Sequence, residues 1–70
     1  MKENKRKLTN KQLAKKIDNF LPFWEKEENF YKSILEILNN NNKQYIQETI
    51  DFLKDYYNSE EIIKELQARL

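Results

Sequence analysis

The chain has 70 residues and a net charge of +1, and it contains no cysteine, histidine or glycine. Its length allows one small domain with a barely sufficient core, and the missing residue types exclude disulfides, thiolate nucleophiles, imidazole metal ligands and glycine-rich phosphate loops. The longest apolar run, FLPFW at residues 20–24, is far too short to span a membrane. We therefore expect a cytoplasmic protein that is not an enzyme and uses no cofactor, metal or small-molecule substrate.

Charge is distributed unevenly along the chain. Residues 1–16 carry seven basic side chains and one acidic one, whereas residues 17–70 carry six basic and eleven acidic ones. We predict a flexible basic arm at residues 1–8, followed by a single helical domain at residues 9–70. The arm is either a solvated tail or a surface that contacts phosphate. The contacts would then come from the arm and the first helix, through Lys2, Lys5, Arg6, Lys7, Lys11 and Lys15.

The first predicted helix starts at Thr9, which can form a T-x-x-Q capping box with Gln12. Apolar residues follow at helical spacing and make one narrow stripe, namely Leu13, Ile17, Phe20 and Leu21. Proline is excluded from a helix interior but tolerated in a first turn. We therefore expect this helix to end near residues 19–21 and the second helix to begin at about Pro22.

FLPFW is then predicted to be the corner between these two helices. Phe20, Leu21 and Phe23 should be largely buried there, and Trp24 should lie at the edge of the hydrophobic cluster. A membrane anchor would need cationic flanks, whereas FLPFW runs directly into the acidic EKEE segment.

The stretch LTNKQLAKKI, residues 8–17, resembles the first helix of a repressor-type helix-turn-helix, in which an L-T-x-x-x-L-A pattern precedes the turn. The resemblance covers ten residues and implies contact with DNA. The next residues depart from that motif, because it needs a tight turn and then a polar or basic recognition helix. Residues 23–38 are instead aromatic and acidic, so we expect no recognition helix there.

Three further helices are predicted. The second helix should run to about Leu38, where the NNNN segment (residues 39–42) stops it, since asparagine tolerates the left-handed conformation. The third helix is expected at about Lys43 to Tyr57, and it forms an antiparallel hairpin with the second. The fourth should run from an Asn58 cap to the C-terminus, with i,i+4 ion pairs Glu60–Lys64 and Glu65–Arg69. The sequence thus predicts an all-α bundle of three to four short helices built round a central antiparallel hairpin.

The second and third helices have broad apolar arcs rich in aromatic residues. Packing against one neighbouring helix requires only a narrow apolar arc. These wider arcs therefore indicate additional contacts with flanking helices, with a second protomer or with another protein. We therefore expect a protein–protein interaction module, such as a regulator, inhibitor or assembly factor, that forms a homodimer through these faces. The predicted interface residues are Trp24, Glu27, Tyr31, Tyr45, Phe52 and Tyr56. The alternative is a small nucleic-acid-binding regulator that uses the basic arm and the first helix.

Two groups of carboxylates need separate interpretation. Glu27 falls inside the apolar arc of the second helix, where it either reaches solvent from the first turn or is held at an interface by a tyrosine hydroxyl or a cation. Asp51 and Asp55 lie beside Lys54 on the polar side of the third helix. Because no nucleophile or histidine accompanies them, we expect a solvated face rather than a catalytic pair.

Overall fold

The computed structural model describes residues 8–70, and that part of the chain contains four α helices, one 3-10 turn and no strand. The elements are α1 (Asn10–Phe20), the 3-10 turn (Phe23–Glu25), α2 (Phe30–Asn39), α3 (Lys43–Leu53) and α4 (Glu60–Gln67). The predicted all-α bundle of short helices is confirmed. Residues 1–7 of the predicted arm lie outside the described residues, whereas Leu8, which the prediction assigns to the arm, packs against the core.

Helix α1 begins and ends as its sequence predicts. The capping box is complete, because the Gln12 N–H donates to Thr9 Oγ1 at 3.1 Å and the Thr9 N–H donates to Gln12 Oε1 at 3.0 Å. The helix ends at Phe20, and Leu21 is extended, as the residue before a proline prefers. The Lys26 ammonium donates to the Asp18 carbonyl at 2.7 Å. It thereby satisfies one of the last carbonyls of the helix, which have no partner within it.

The prediction that the second helix begins at Pro22 is wrong. Pro22 and Lys26 are both extended and enclose the 3-10 turn Phe23–Glu25. Asn29 then takes a left-handed conformation with φ 63°, which a right-handed helix cannot contain. Helix α2 therefore begins at Phe30, and Glu27 lies in the preceding loop rather than on a helix face.

Asparagine replaces glycine wherever the described chain needs a positive φ. The three such positions are Asn29, Asn41 and Asn58, with φ between 55° and 63°. Asn41 lies just beyond the C-cap Asn40 of α2, where the NNNN segment predicts a stop. Asparagine is among the few residues other than glycine that visit this region routinely, because its short side chain can hydrogen-bond locally.

Helix α3 is shorter than predicted, and α4 has a different cap. Helix α3 ends at Leu53 rather than Tyr57. The N–H groups that follow bond carbonyls three residues earlier in the chain instead of four, and Asn58 has a left-handed conformation. The N-cap of α4 is Ser59, not Asn58, and its hydroxyl faces α3 instead of α4. Ser59 Oγ lies 2.8 Å from the Leu53 carbonyl oxygen, so it satisfies the end of the preceding helix.

The four helices alternate in direction round one core. Asn10 at the start of α1 bonds Asn39 at the end of α2, and Lys16 of α1 pairs with Glu61 at the start of α4. Lys43 at the start of α3 bonds the carbonyl of Leu70 beyond α4. Each helix contacts its neighbours in chain order, and α4 contacts α1. The hydrophobic core is Leu13, Ala14, Ile17, Leu21, Ile34, Leu38, Ile46, Ile50, Leu53, Ile62 and Leu66.

Candidate functional site

An open groove of about 580 Å³ lies between α2 and α3. Its floor is formed by buried core residues, namely Ile17, Leu21, Ile34 and Leu53. Phe30 and Ile37 come from α2, at two turns' separation on the face that also carries Ile34. Tyr45, Thr49 and Phe52 come from successive turns of α3. Because residues three, four and seven apart share a helix face, each helix presents one continuous wall about 10 Å long.

The charged side chains that line this groove are both carboxylates. Glu27 lies in the loop before α2, and Glu48 lies on α3 between Tyr45 and Phe52. Both are exposed, and among residues 8–70 no lysine or arginine lines the groove. The groove therefore combines an apolar floor with a negatively charged border.

The groove brings together three of the predicted interface residues, Glu27, Tyr45 and Phe52. Tyr31 and Trp24 do not line it. Sequence reasoning missed Glu48 and Thr49 as site residues. Their spacing could have identified them, because positions 45, 48, 49 and 52 follow the i, i+3, i+4, i+7 pattern of one helix face, which begins at Tyr45 and ends at Phe52.

Tyr56 belongs to an aromatic cluster beside the groove. Its ring centroid lies 5.8 Å from that of Phe20, edge to face, and 5.3 Å from that of Phe52. Desolvation by partial burial and the nearby carboxylates of Glu25 and Asp55 raise the pKa of the Tyr56 hydroxyl above 10.0. The cluster therefore joins the end of α1 to the end of α3 and sets one limit of the groove.

The 3-10 turn carries two exposed aromatic residues. Phe23 is 75% exposed and Trp24 is 80% exposed, so the prediction that Phe23 is buried and Trp24 borders the hydrophobic cluster is wrong. The reason is the extended backbone at Pro22, which ends the apolar stripe of α1 after Leu21. Leu21 is buried as predicted, and Phe20 is partly buried against the core.

A second surface, formed by α1 together with Tyr31 of α2, is basic. It is a shallow polar depression lined by Lys11, Gln12, Lys15, Lys16, Asn19 and Tyr31. The Lys15 ammonium lies 5.7 Å from the centre of the Tyr31 ring, within cation–π range. Two of the predicted phosphate-contact residues, Lys11 and Lys15, are thus on one surface. The others, Lys2, Lys5, Arg6 and Lys7, lie outside the described residues.

Acidic residues do not gather into a metal site in the part of the chain that the structure describes, where no three Asp or Glu side chains converge. Asp51 Oδ1 instead lies 3.6 Å from Lys54 Nζ on an exposed face. The Glu65–Arg69 pair predicted from spacing is formed, whereas no ion pair joins Glu60 to Lys64 among the described residues.

The chain matches no protein-family model, and no curated protein or solved structure is detectably similar to it. No helix within residues 8–70 is long and apolar enough to cross a membrane.

Proposed function

We propose that this protein is a small non-enzymatic interaction module that binds a protein segment in the groove between α2 and α3. One observation carries the proposal: between α2 and α3, apolar side chains and a floor of core residues line a groove that is open to solvent. Its volume of about 580 Å³ lies within the range of ligand-binding clefts. A groove between two helices is also the kind of site that accepts an amphipathic helix.

Site-specific photo-crosslinking in the cells that express the protein tests this function. The reactive side chain replaces Thr49, in the groove wall, and in a matched control it replaces Lys32, which is exposed on the opposite side of α2. We expect a discrete protein adduct from position 49 and none from position 32. Equal adducts from both positions, or none from position 49, would contradict a binding role for the groove.

Self-association through the same aromatic faces stays a prediction from the sequence. Light scattering from about micromolar to about millimolar concentration tests it, and a dimer would also melt at a concentration-dependent temperature. Phe52→Ala should weaken a dimer formed through the groove, whereas Phe23→Ala, outside the groove, should not. A mass that remains monomeric over the whole range would rule out the homodimer.

A small nucleic-acid-binding regulator is the second candidate, and it is favoured by the basic surface on α1. Lys11, Lys15 and Lys16 lie together there with two amide side chains and the Tyr31 ring. Lysine side chains bind phosphate without reading sequence, and an aromatic ring can stack on an exposed base. The basic residues of the arm precede this surface directly in the sequence.

Fluorescence anisotropy with labelled duplex and single-stranded DNA at low salt tests the second candidate. Binding should weaken steeply as salt is added, because phosphate contacts release counterions. The double variant Lys11→Glu/Lys15→Glu should lose binding, whereas Lys32→Glu, on another surface, should retain it. Tight binding by the double variant would exclude this basic surface as the contact.

A further inference from the structure

We propose that the groove between α2 and α3 selects a cationic amphipathic helix from another protein. This inference rests on the proposed function and specifies the chemistry of its partner. Both walls of the groove are α helices that present mainly apolar side chains at helical spacing, Phe30 and Ile37 on one side and Tyr45 and Phe52, with Thr49 between them, on the other. An apolar stripe on a third helix packs into such a groove by the same ridge-and-groove geometry that joins helices inside a bundle.

The negative charge of the groove border determines which sign of charge a partner should carry. Glu27 borders it at the loop before α2, and Glu48 borders it at the middle of α3. A bound helix covers these positions, so an acidic partner would bring like charges together as water is excluded, which is unfavourable. Lysine or arginine beside the apolar stripe would instead pair with both carboxylates. Long basic side chains can also lay their methylene stems on the aromatic walls.

A second copy of this chain fits the groove less well. Two of its exposed apolar residues, Phe23 and Trp24, are followed by acidic side chains at positions 25, 27 and 28, which the acidic border would repel. Its cationic helix is α1, but most of the apolar stripe of α1 is buried in its own core, where Leu13 and Ile17 are inaccessible and only Phe20 is partly exposed. No described helix of the chain therefore offers an apolar stripe and basic flanks at once.

Two designed peptides test the inference directly. Each has about 18 residues, which is long enough to form a helix on binding. Both carry leucine at the a and d positions of a heptad, and the remaining positions are lysine in one peptide and glutamate in the other. Calorimetric titration should show binding of the lysine peptide and at least tenfold weaker binding of the glutamate peptide. Added salt should weaken the lysine complex.

Charge reversal at the groove provides the matched variants. The double variant Glu27→Lys/Glu48→Lys changes two exposed side chains of the groove border, and Glu36→Lys changes an exposed carboxylate on α2 outside the groove. The double variant should bind the lysine peptide at least tenfold more weakly and gain affinity for the glutamate peptide. The control should bind both peptides as the unmodified chain does. Thermal melting of each variant checks that the fold is retained.

The possible outcomes separate this inference from the function on which it rests. Equal binding of the two peptides, or tight binding of the lysine peptide by the double variant, would overturn charge selection and leave the groove a docking site. If position 49 crosslinks a partner but neither peptide binds, the selection of a cationic helix is contradicted, whereas the binding role of the groove is kept. Absence of both signals would overturn the function as well. A dimer that strengthens with salt and is lost in Phe52→Ala would identify a second copy as the occupant and also overturn the inference.

Discussion

Arg69 and Glu65 form a buried ion pair one turn apart near the C-terminus, with Nη1 3.3 Å from Oε1. Both residues are less than 8% exposed. The Arg69 guanidinium also donates to the Leu8 carbonyl at 2.7 Å and to Asn10 Oδ1 at 2.9 Å. The Leu8 N–H in turn donates to Glu65 Oε1 at 3.3 Å. This pair therefore attaches the segment before α1 to α4, which are at opposite ends of the sequence.

Replacing Arg69 with Met should destabilise the fold by about 3 kcal/mol, because it removes one partner of a buried ion pair. Urea unfolding followed by circular dichroism measures the difference. Lys16→Met is the matched control, since Lys16 pairs with Glu61 on the surface and such exposed pairs contribute at most about 1 kcal/mol. Equal stability of the Arg69 variant and the unmodified chain would contradict a structural role for the pair.

The left-handed turn after α2 provides a second prediction. Asn41→Ala should cost about 1 kcal/mol, because an alanine Cβ is crowded at φ 55°. Asn41→Gly should be no less stable than the unmodified chain, since glycine takes this conformation readily. Asn40→Ala is the control, because Asn40 has a right-handed conformation with φ −86°. Thermal unfolding of the three variants tests the order, and a loss in Asn41→Gly as large as that in Asn41→Ala would contradict it.

The ionisation of Tyr56 provides a pH-dependent prediction. Its pKa is raised above 10.0 in the folded chain, first by desolvation and then by Glu25 and Asp55. Because the neutral phenol is favoured by folding, this contribution to stability is complete below pH 10.0 and is lost as pH rises through the folded pKa. The difference between ultraviolet titrations of the unmodified chain and Tyr56→Phe should show one phenol ionising above pH 10.0. Glu25→Gln should lower that midpoint, and an unchanged midpoint would exclude Glu25 as a cause.

Local chemistry allowed parts of this fold to be predicted from the sequence. The Thr9–Gln12 capping box and the stop at the NNNN segment depend on residues within one turn of each other, so the pattern alone defines them. The core stripe of α1 follows from its helical spacing in the same way. The end of α3 and the start of α4 could not be predicted in this way. The Ser59 hydroxyl bonds the Leu53 carbonyl at the end of α3 instead of capping α4.

The groove and the loop before α2 depend on contacts that a pattern does not contain. The course of residues 22–29 depends on the ion pair between Lys26 and Asp18, whose Nζ and Oδ1 atoms lie 3.4 Å apart. It also depends on the left-handed conformation of Asn29. The groove exists only because α1, α2 and α3 each contribute side chains to it. Sequence periodicity predicted aromatic faces on two helices, but not that Glu27 would border an opening between them.

The two phenylalanines of FLPFW provide the last prediction, because the structure separates residues that the sequence places in one cluster. Phe20→Ala should cost about 2 kcal/mol, less than a fully buried phenylalanine does, since Phe20 is partly buried and loses its edge-to-face contact with Tyr56. Phe23→Ala should change stability by no more than about 0.5 kcal/mol, because the ring is 75% exposed. Chemical denaturation of the two variants side by side measures the difference. Equal losses would mean that Phe23 is covered in solution, which would contradict an exposed 3-10 turn.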